Sequence, residues 1–235
     1  LEERYRKHKM DTPFKEILSL DLYQLLKPCQ SLFKLSKMKQ PDLENFVGIH
    51  NRKYCDGGQC IRLYKTFMKK KDPEAANIVM GHNEEDLLGL GTIFSLLAYK
   101  KLYDGEYHPK QCVILEQELK IVIELSAAAP VNVSCGNSDF YLSVNGYEAR
   151  MLVHLKEGKL RQYYRNYKDY EFIPGEDTAM PKSITRYMDK SLKIATTPQT
   201  CYTWFNCDED FLNNEKKQMQ YLTHTLPFFL DNLNK

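Results

Sequence analysis

Around Asp104-Gly105 the chain changes its hydrophobic period, and that change limits the possible folds more than any other feature. Upstream, Asp42 to Val47, Gly58 to Lys70 and Pro73 to Leu102 space their apolar residues as helices do. Asp72 is placed as an N-cap, and Pro73 suits a first helical turn. Downstream, Val113 to Leu125, Phe140 to Val144, Glu148 to Leu155 and Leu160 to Tyr164 are short β-type runs between Asn-Gly and Glu-Gly turns. Asn145-Gly146 is a hairpin signal. The period change predicts a boundary near Tyr103 to Pro109, dividing the chain into residues 1–103 and 104–235. The tail, Glu209 to Leu233, returns to helical spacing with an expected interruption at Pro227. Near the start, Leu1 to Lys9 reads as the end of a helix, and Asp11-Thr12-Pro13 as a turn. Glu16 to Leu20 is short enough for a buried strand, and Asp21 can cap a helix Leu22 to Leu26 that Pro28 closes.

Composition narrows the class. With 43% hydrophobic residues in 235, the chain can build a real core. A net charge of +2 gives no strong overall field, so contact with nucleic acid has to come from local patches. Seven cysteines without a CxxC pair argue against a zinc clamp or a redox dithiol and predict a reduced, cytoplasmic protein. The apolar runs fall far short of the ~20 residues that span a bilayer, which predicts no membrane anchor. Leu1 to Met10 lacks the apolar stretch of a secretory signal, and a start inside a helix predicts residues upstream.

Several clusters are candidates for chemistry. Lys34, Lys37 and Lys39, beside Phe33 and Met38, could neutralise phosphates; Lys65, Lys69, Lys70 and Lys71 also suit a helix C-terminus. Tyr163, Tyr164, Tyr167 and Tyr170 with Arg161, Arg165 and Lys168 have the composition of a single-strand platform, or of a half-buried strand edge. Pro174 to Ser183 reads as a long polar loop in which Glu176 and Asp177 face water, and His108, His154 and His224 show no ligand spacing. On the Pro73–Leu102 helix, His82 and Asp86 are four residues apart and project from one face. A carboxylate there can bind a divalent ion and an imidazole can orient a water, although the same pair beside Glu84 and Glu85 also fits a solvated face. Asn83 and Glu85 read as surface, Asp21 as a cap and Asp56 as a turn residue.

Three stretches in order, Leu35 to Gly48 (LSKMKQPDLENFVG), Tyr54 to Tyr64 (YCDGGQCIRLY) and Val79 to Gly89 (VMGHNEEDLLG), resemble the YprB-type branch of the DnaQ-like (ribonuclease H-like, DEDD) 3′–5′ exonucleases. That pattern is a lysine-containing stretch, a helix ending in Leu/Val-Gly, a Gly-Gly turn, a helix, and a Tyr/His-Asn-x-x-Asp block. Tyr170 to Tyr187 and Thr200 to Thr203 resemble the C-terminal region of clostridial-type members, so a bacterial protein is implied. The resemblance implies an α/β + β architecture: the C-terminal, mostly helical part of a ribonuclease H-like domain, then an antiparallel β-rich domain with a C-terminal helix. It implies phosphodiester hydrolysis of DNA or RNA with Mg2+ or Mn2+, Asp86 as the last of four metal-binding carboxylates, and His82 at the water-activating position, where tyrosine is common. The family's Asp-x-Glu and Asn-x-x-x-Asp motifs are expected before Leu1. The chain alone would then hold one of the four carboxylates and be inactive, with an exposed apolar edge where the absent sheet packs. The alternative is a nucleic-acid- or protein-binding regulatory module with a degenerate nuclease site.

Overall fold

A computed structural model of the chain describes residues 2–12, 16–54 and 57–233. The first part is helical: α1 (Glu2–Lys7), α2 (Leu22–Leu26), α3 (Gln30–Phe33), α4 (Gln40–Phe46), α5 (Gly57–Lys70), α6 (Pro73–Ile93) and α7 (Leu97–Asp104). The expected caps are in place. The Asp21 carboxylate accepts the Gln24 N–H at the start of α2, and the Asp72 carboxylate accepts the Glu74 N–H at the start of α6. α5 folds back on α6 through Lys71-Asp72. The helix expected over Pro73 to Leu102 is divided by a 3-10 turn, Phe94–Leu96, which redirects the chain into α7.

One expected element is missing. Glu16 to Leu20 is turn and irregular backbone, not a buried strand; Leu18 is 83% exposed, and no strand among the described residues pairs with it. An apolar run becomes a buried strand only when a ladder and an apolar cover are supplied, and this run has neither. Pro13 of the expected turn, and Asp56, lie outside the described residues.

Gly105, in the left-handed region at φ 88°, ends α7 and opens the β-rich part. β1 (Tyr107–Leu115), β2 (Glu118–Gly136) and β3 (Phe140–His154) form an antiparallel sheet in that order. β4 (Lys159–Tyr163) pairs with the later β8 (Tyr202–Asn206). β5 (Tyr170–Ile173) lies between β6 (Thr178–Pro181) and β7 (Ile194–Ala195), with the short helix α8 (Lys182–Thr185) following β6. α9 (Glu209–Leu212) and α10 (Glu215–Asp231) close the chain. The architecture is therefore mixed, with helices and antiparallel sheets.

Strand boundaries depart from expectation in instructive ways. The run Val113 to Leu125 is two strands joined at Glu116-Gln117, with Glu116 at φ 56°. Conversely, Phe140 to Val144 and most of Glu148 to Leu155 are one strand, ending at His154, because Asn145-Gly146 lies within it opposite a bulged stretch of β2 instead of turning a hairpin. Buried positions are even before it (Phe140, Leu142, Val144) and odd after it (Ala149, Met151, Val153). A bulge shifts the phase of the strand in this way, and Gly146, at φ 55° and opposite Ala129, supplies the conformation. The supposed loop Pro174 to Ser183 contains the β5–β6 turn, all of β6 and the start of α8. Pro227 does not interrupt the tail but sits inside α10, which buries Tyr221, Leu222, Leu226 and Phe229.

The apolar core crosses the helix-to-strand transition. α7 buries Ala98, Tyr99, Leu102 and Tyr103, and α10 lays Phe229 on Phe140 (centroids 4.0 Å apart) and Phe228 on Tyr163 (3.8 Å). The Tyr99 hydroxyl donates to the Val131 carbonyl of β2 and accepts the Val131 N–H at 3.2 Å. By contrast, Ile61, Tyr64 and Met68 of α5 and Met80, Leu87 and Leu88 of α6 are each more than half exposed. Both helices therefore carry exposed apolar side chains. Tyr99→Phe, which leaves the Val131 groups without this partner, is expected to lower unfolding free energy by about 1–3 kcal/mol, read as a lower urea midpoint with an unchanged slope.

Candidate functional site

α6 carries both sequence candidates, His82 and Asp86, and brings them together. His82 Nε2 lies 3.5 Å from Asp86 Oδ2; the histidine is buried, and its Nδ1 has no hydrogen-bond partner. What the sequence reading missed is the third member. Arg52 donates from Nη1 to Asp86 Oδ1 at 2.7 Å, and from Nε and Nη2 to the two oxygens of Glu44, both at 2.7 Å. The guanidinium therefore joins two carboxylates, one of them in the two-bond geometry that suits Arg best. Glu44 is only 2% exposed, and its carboxyl is held below its ordinary value of 4.5, chiefly by the bonds from Arg52 and against the opposing effect of burial. Arg52 is correspondingly held all the more firmly as a cation, first by its bonds to Glu44.

Neighbouring residues fix this arrangement from α4 and from the segment before α5. Gln40 Nε2 donates both to Glu44 Oε1 and to the Asp86 carbonyl, each at 2.8 Å. Glu85 is not free surface, as expected from sequence, but accepts the backbone N–H groups of Lys53 (2.8 Å) and Tyr54 (3.3 Å). Two glycines let these parts approach α6. A Cβ at Gly89 would lie 1.9 Å from Glu44 Oε1, and one at Gly81 would lie 2.2 Å from the Tyr54 ring. Gly81, Glu85 and Gly89 recur every four residues along one side of α6, and that spacing was the available sequence signal for a close contact. A small cavity of about 190 Å³ lies beside the pair, lined by Glu44, Arg52, Glu85 and Gly89 among others.

A pair of divalent ions does not fit this set of residues. Asp86 Oδ1 is taken by Arg52, the nearby Glu44 carboxylate is taken twice by the same guanidinium, and no group of three or more His, Cys, Asp or Glu among the described residues could hold a metal. Arg52 already occupies the carboxylate oxygens that a metal would meet and offsets one of their two charges.

The model of the RNase_H_2 family, described as RNase_H superfamily, matches residues 1–98. That match supports a ribonuclease H-like, nuclease-like domain over the helical part, of a general kind that acts on nucleic acid. No curated protein and no solved structure matches the chain. The finer assignment, to the YprB-type exonucleases, goes beyond this match.

The remaining candidates separate clearly. Lys34, Lys37 and Lys39 are exposed, while Phe33 and Met38 beside them are buried. Lys34 terminates α3 in the left-handed conformation. The tyrosine stretch does not form one platform: Tyr163 is buried against α10, while Tyr164 stacks on Tyr170 at 5.1 Å. Asp177 does not face water, because its carboxylate accepts the Tyr202 hydroxyl at 2.6 Å and the Trp204 indole N–H at 3.2 Å. Cys29, Cys112, Cys135, Cys201 and Cys207 are free thiols; burial pushes Cys29 up to about 12, so it is a packing residue and no nucleophile. No helix among the described residues is long and apolar enough to cross a membrane.

Replacing Arg52 by Met strands the buried Glu44 charge, and a loss of about 3 kcal/mol in urea unfolding at pH 7 is expected. The pH dependence has a definite sign. The folded Glu44 pKa lies below the unfolded one, so its contribution is full above 4.5 and is lost as pH falls towards the lower folded value. Unfolding curves taken across that acid range are expected to show a smaller stability loss in Arg52→Met than in the unchanged protein.

Proposed function

We propose that residues 1–98 are part of a metal-dependent 3′–5′ exonuclease of nucleic acid, and that the 235-residue chain by itself does not cleave. The observation that carries the second half is the Arg52 bond to Asp86, which leaves the proposed metal ligand paired in a set of residues that does not fit metal ions. The family match, the His82–Asp86 pair on one helix face, and the uncovered apolar faces of α5 and α6 support the first half. In this reading the other carboxylates, and the sheet that covers those faces, lie outside the described residues. His82 would orient the attacking water, and the exposed Lys34, Lys37 and Lys39 would meet the phosphates of the strand. Residues 1–103 then contribute to the nuclease domain, and residues 104–235 form a β-rich companion.

One observation favours a second reading, a nucleic-acid-binding module with a degenerate nuclease site. In the Glu44–Arg52–Asp86 network a guanidinium bridges both carboxylates where a metal would otherwise do so, as expected of a site converted to structure.

The test is degradation of end-labelled single-stranded DNA and RNA with Mn2+ or Mg2+. It compares this chain, the full-length protein that contains it, and the full-length protein with Asp86→Asn. The exonuclease reading expects degradation by the full-length protein alone, with at least a hundredfold loss on Asp86→Asn. A full-length protein that binds strands without shortening them establishes the degenerate module instead.

A further inference from the structure

β4 and β8 place Arg161 directly opposite Trp204. The Arg161 guanidinium carbon lies 4.6 Å from the Trp204 ring centroid and 4.5 Å from that of Tyr202, two residues earlier on the same strand. Lys156 Nζ lies 5.6 Å from the same indole. The two rings are held from their polar edges by Asp177, through the Tyr202 hydroxyl and the Trp204 N–H, so the aromatic surface beneath the cations is fixed. Arg161, Lys156, Trp204, His154 and Asp139 line a cavity of about 350 Å³, with Phe229 on its apolar wall.

Two features mark this cavity as more than packing. The cations are held by ring faces, and neither Arg161 nor Lys156 forms an ion pair among the described residues, in contrast to Arg52, Lys193 or Lys217 elsewhere. In addition, Arg161 Nε is buried without a hydrogen-bond partner, so the donors of this guanidinium are not all used within the described residues. Within the lining a guanidinium and an ammonium face one carboxylate, Asp139, while the Asp177 carboxylate is taken by Tyr202 and Trp204, and the two cations match the several oxygens of a phosphate. The volume leaves room for an organic group, for which Phe229 and Val153 offer apolar contact and Asp139 an acceptor.

We propose that this cavity binds the phosphate of a nucleotide-sized organic phosphate, between Arg161 and Lys156. The inference stands independently of the nuclease reading, because none of its residues lies within residues 1–98.

Trp204 is the only tryptophan of the chain, so its fluorescence reports on this cavity directly. The experiment titrates the 235-residue chain with AMP, with 5′-phosphorylated trithymidylate and with adenosine. Saturable change with a phosphate-bearing probe and none with adenosine is expected; response to AMP alone indicates a free nucleotide, and response to the trinucleotide a strand end. Lys156→Gln, at an exposed position that keeps the fold, and Arg161→Gln are each expected to weaken the response about tenfold or more. If Arg161→Gln unfolds, as judged by circular dichroism, Lys156→Gln decides. Absence of saturation with both phosphate probes, equal response to adenosine, or unchanged affinity in folded Lys156→Gln overturns the proposal.

Discussion

Tyr99 has no exposed surface, yet its hydroxyl must find hydrogen-bond partners, and it finds both on one residue of β2. That constraint sets the position of α7 against the long sheet. Pro130 and the register shifts around Ala129 interrupt the ladder between β2 and β3 there, so backbone groups at Val131 are available to a side chain. One turn further along α7, the Tyr103 hydroxyl donates to Asp231 at 2.8 Å and accepts from Arg165 at 2.6 Å, tying the helix to the end of α10. The helical and β-rich parts are thus joined by two phenols on one helix face, where Leu102 is also buried.

The candidate site depends on this framework through α6, which runs into α7 by way of the 3-10 turn at Phe94–Leu96. α6 itself has little core of its own: its buried positions are few, and two of them are the glycines that admit Tyr54 and Glu44. Its neighbours are therefore held largely by polar contacts, with Arg52 between two carboxylates and Glu85 on two backbone N–H groups. Such a network specifies geometry strongly, since removing one member leaves a buried charge unpaired. It also bears on the chemistry: one oxygen of Asp86 is held by Arg52.

Elements with local signals were legible in the sequence. The caps Asp21 and Asp72, the helices α5 and α6, the change of period at Gly105 and the turn at Glu157-Gly158, both residues of which have positive φ, follow from side chains acting on their own backbone. Signals with two physical outcomes were misread. Asn145-Gly146 satisfies a hairpin or a bulge equally well, and only the parity of the flanking buried residues separates them. Glu16 to Leu20 has strand composition without strand partners, and Pro227 sits within a helix whose apolar face is buried along its length.

By itself the sequence determined the change from helical to β-type spacing near Gly105, that His82 and Asp86 share a face, and that the helical part resembles a ribonuclease H-like domain. Tertiary structure alone decided what Asp86 meets. Arg52 lies 34 residues away and Glu44 a further eight, in segments whose own periodicity says nothing of α6. It likewise decided that Arg161, Lys156 and Trp204 surround one cavity, because β4 pairs with β8 across 38 intervening residues. Local propensity acts through neighbours within about four residues, whereas charge pairing and cavity formation depend on which distant surfaces the core brings together.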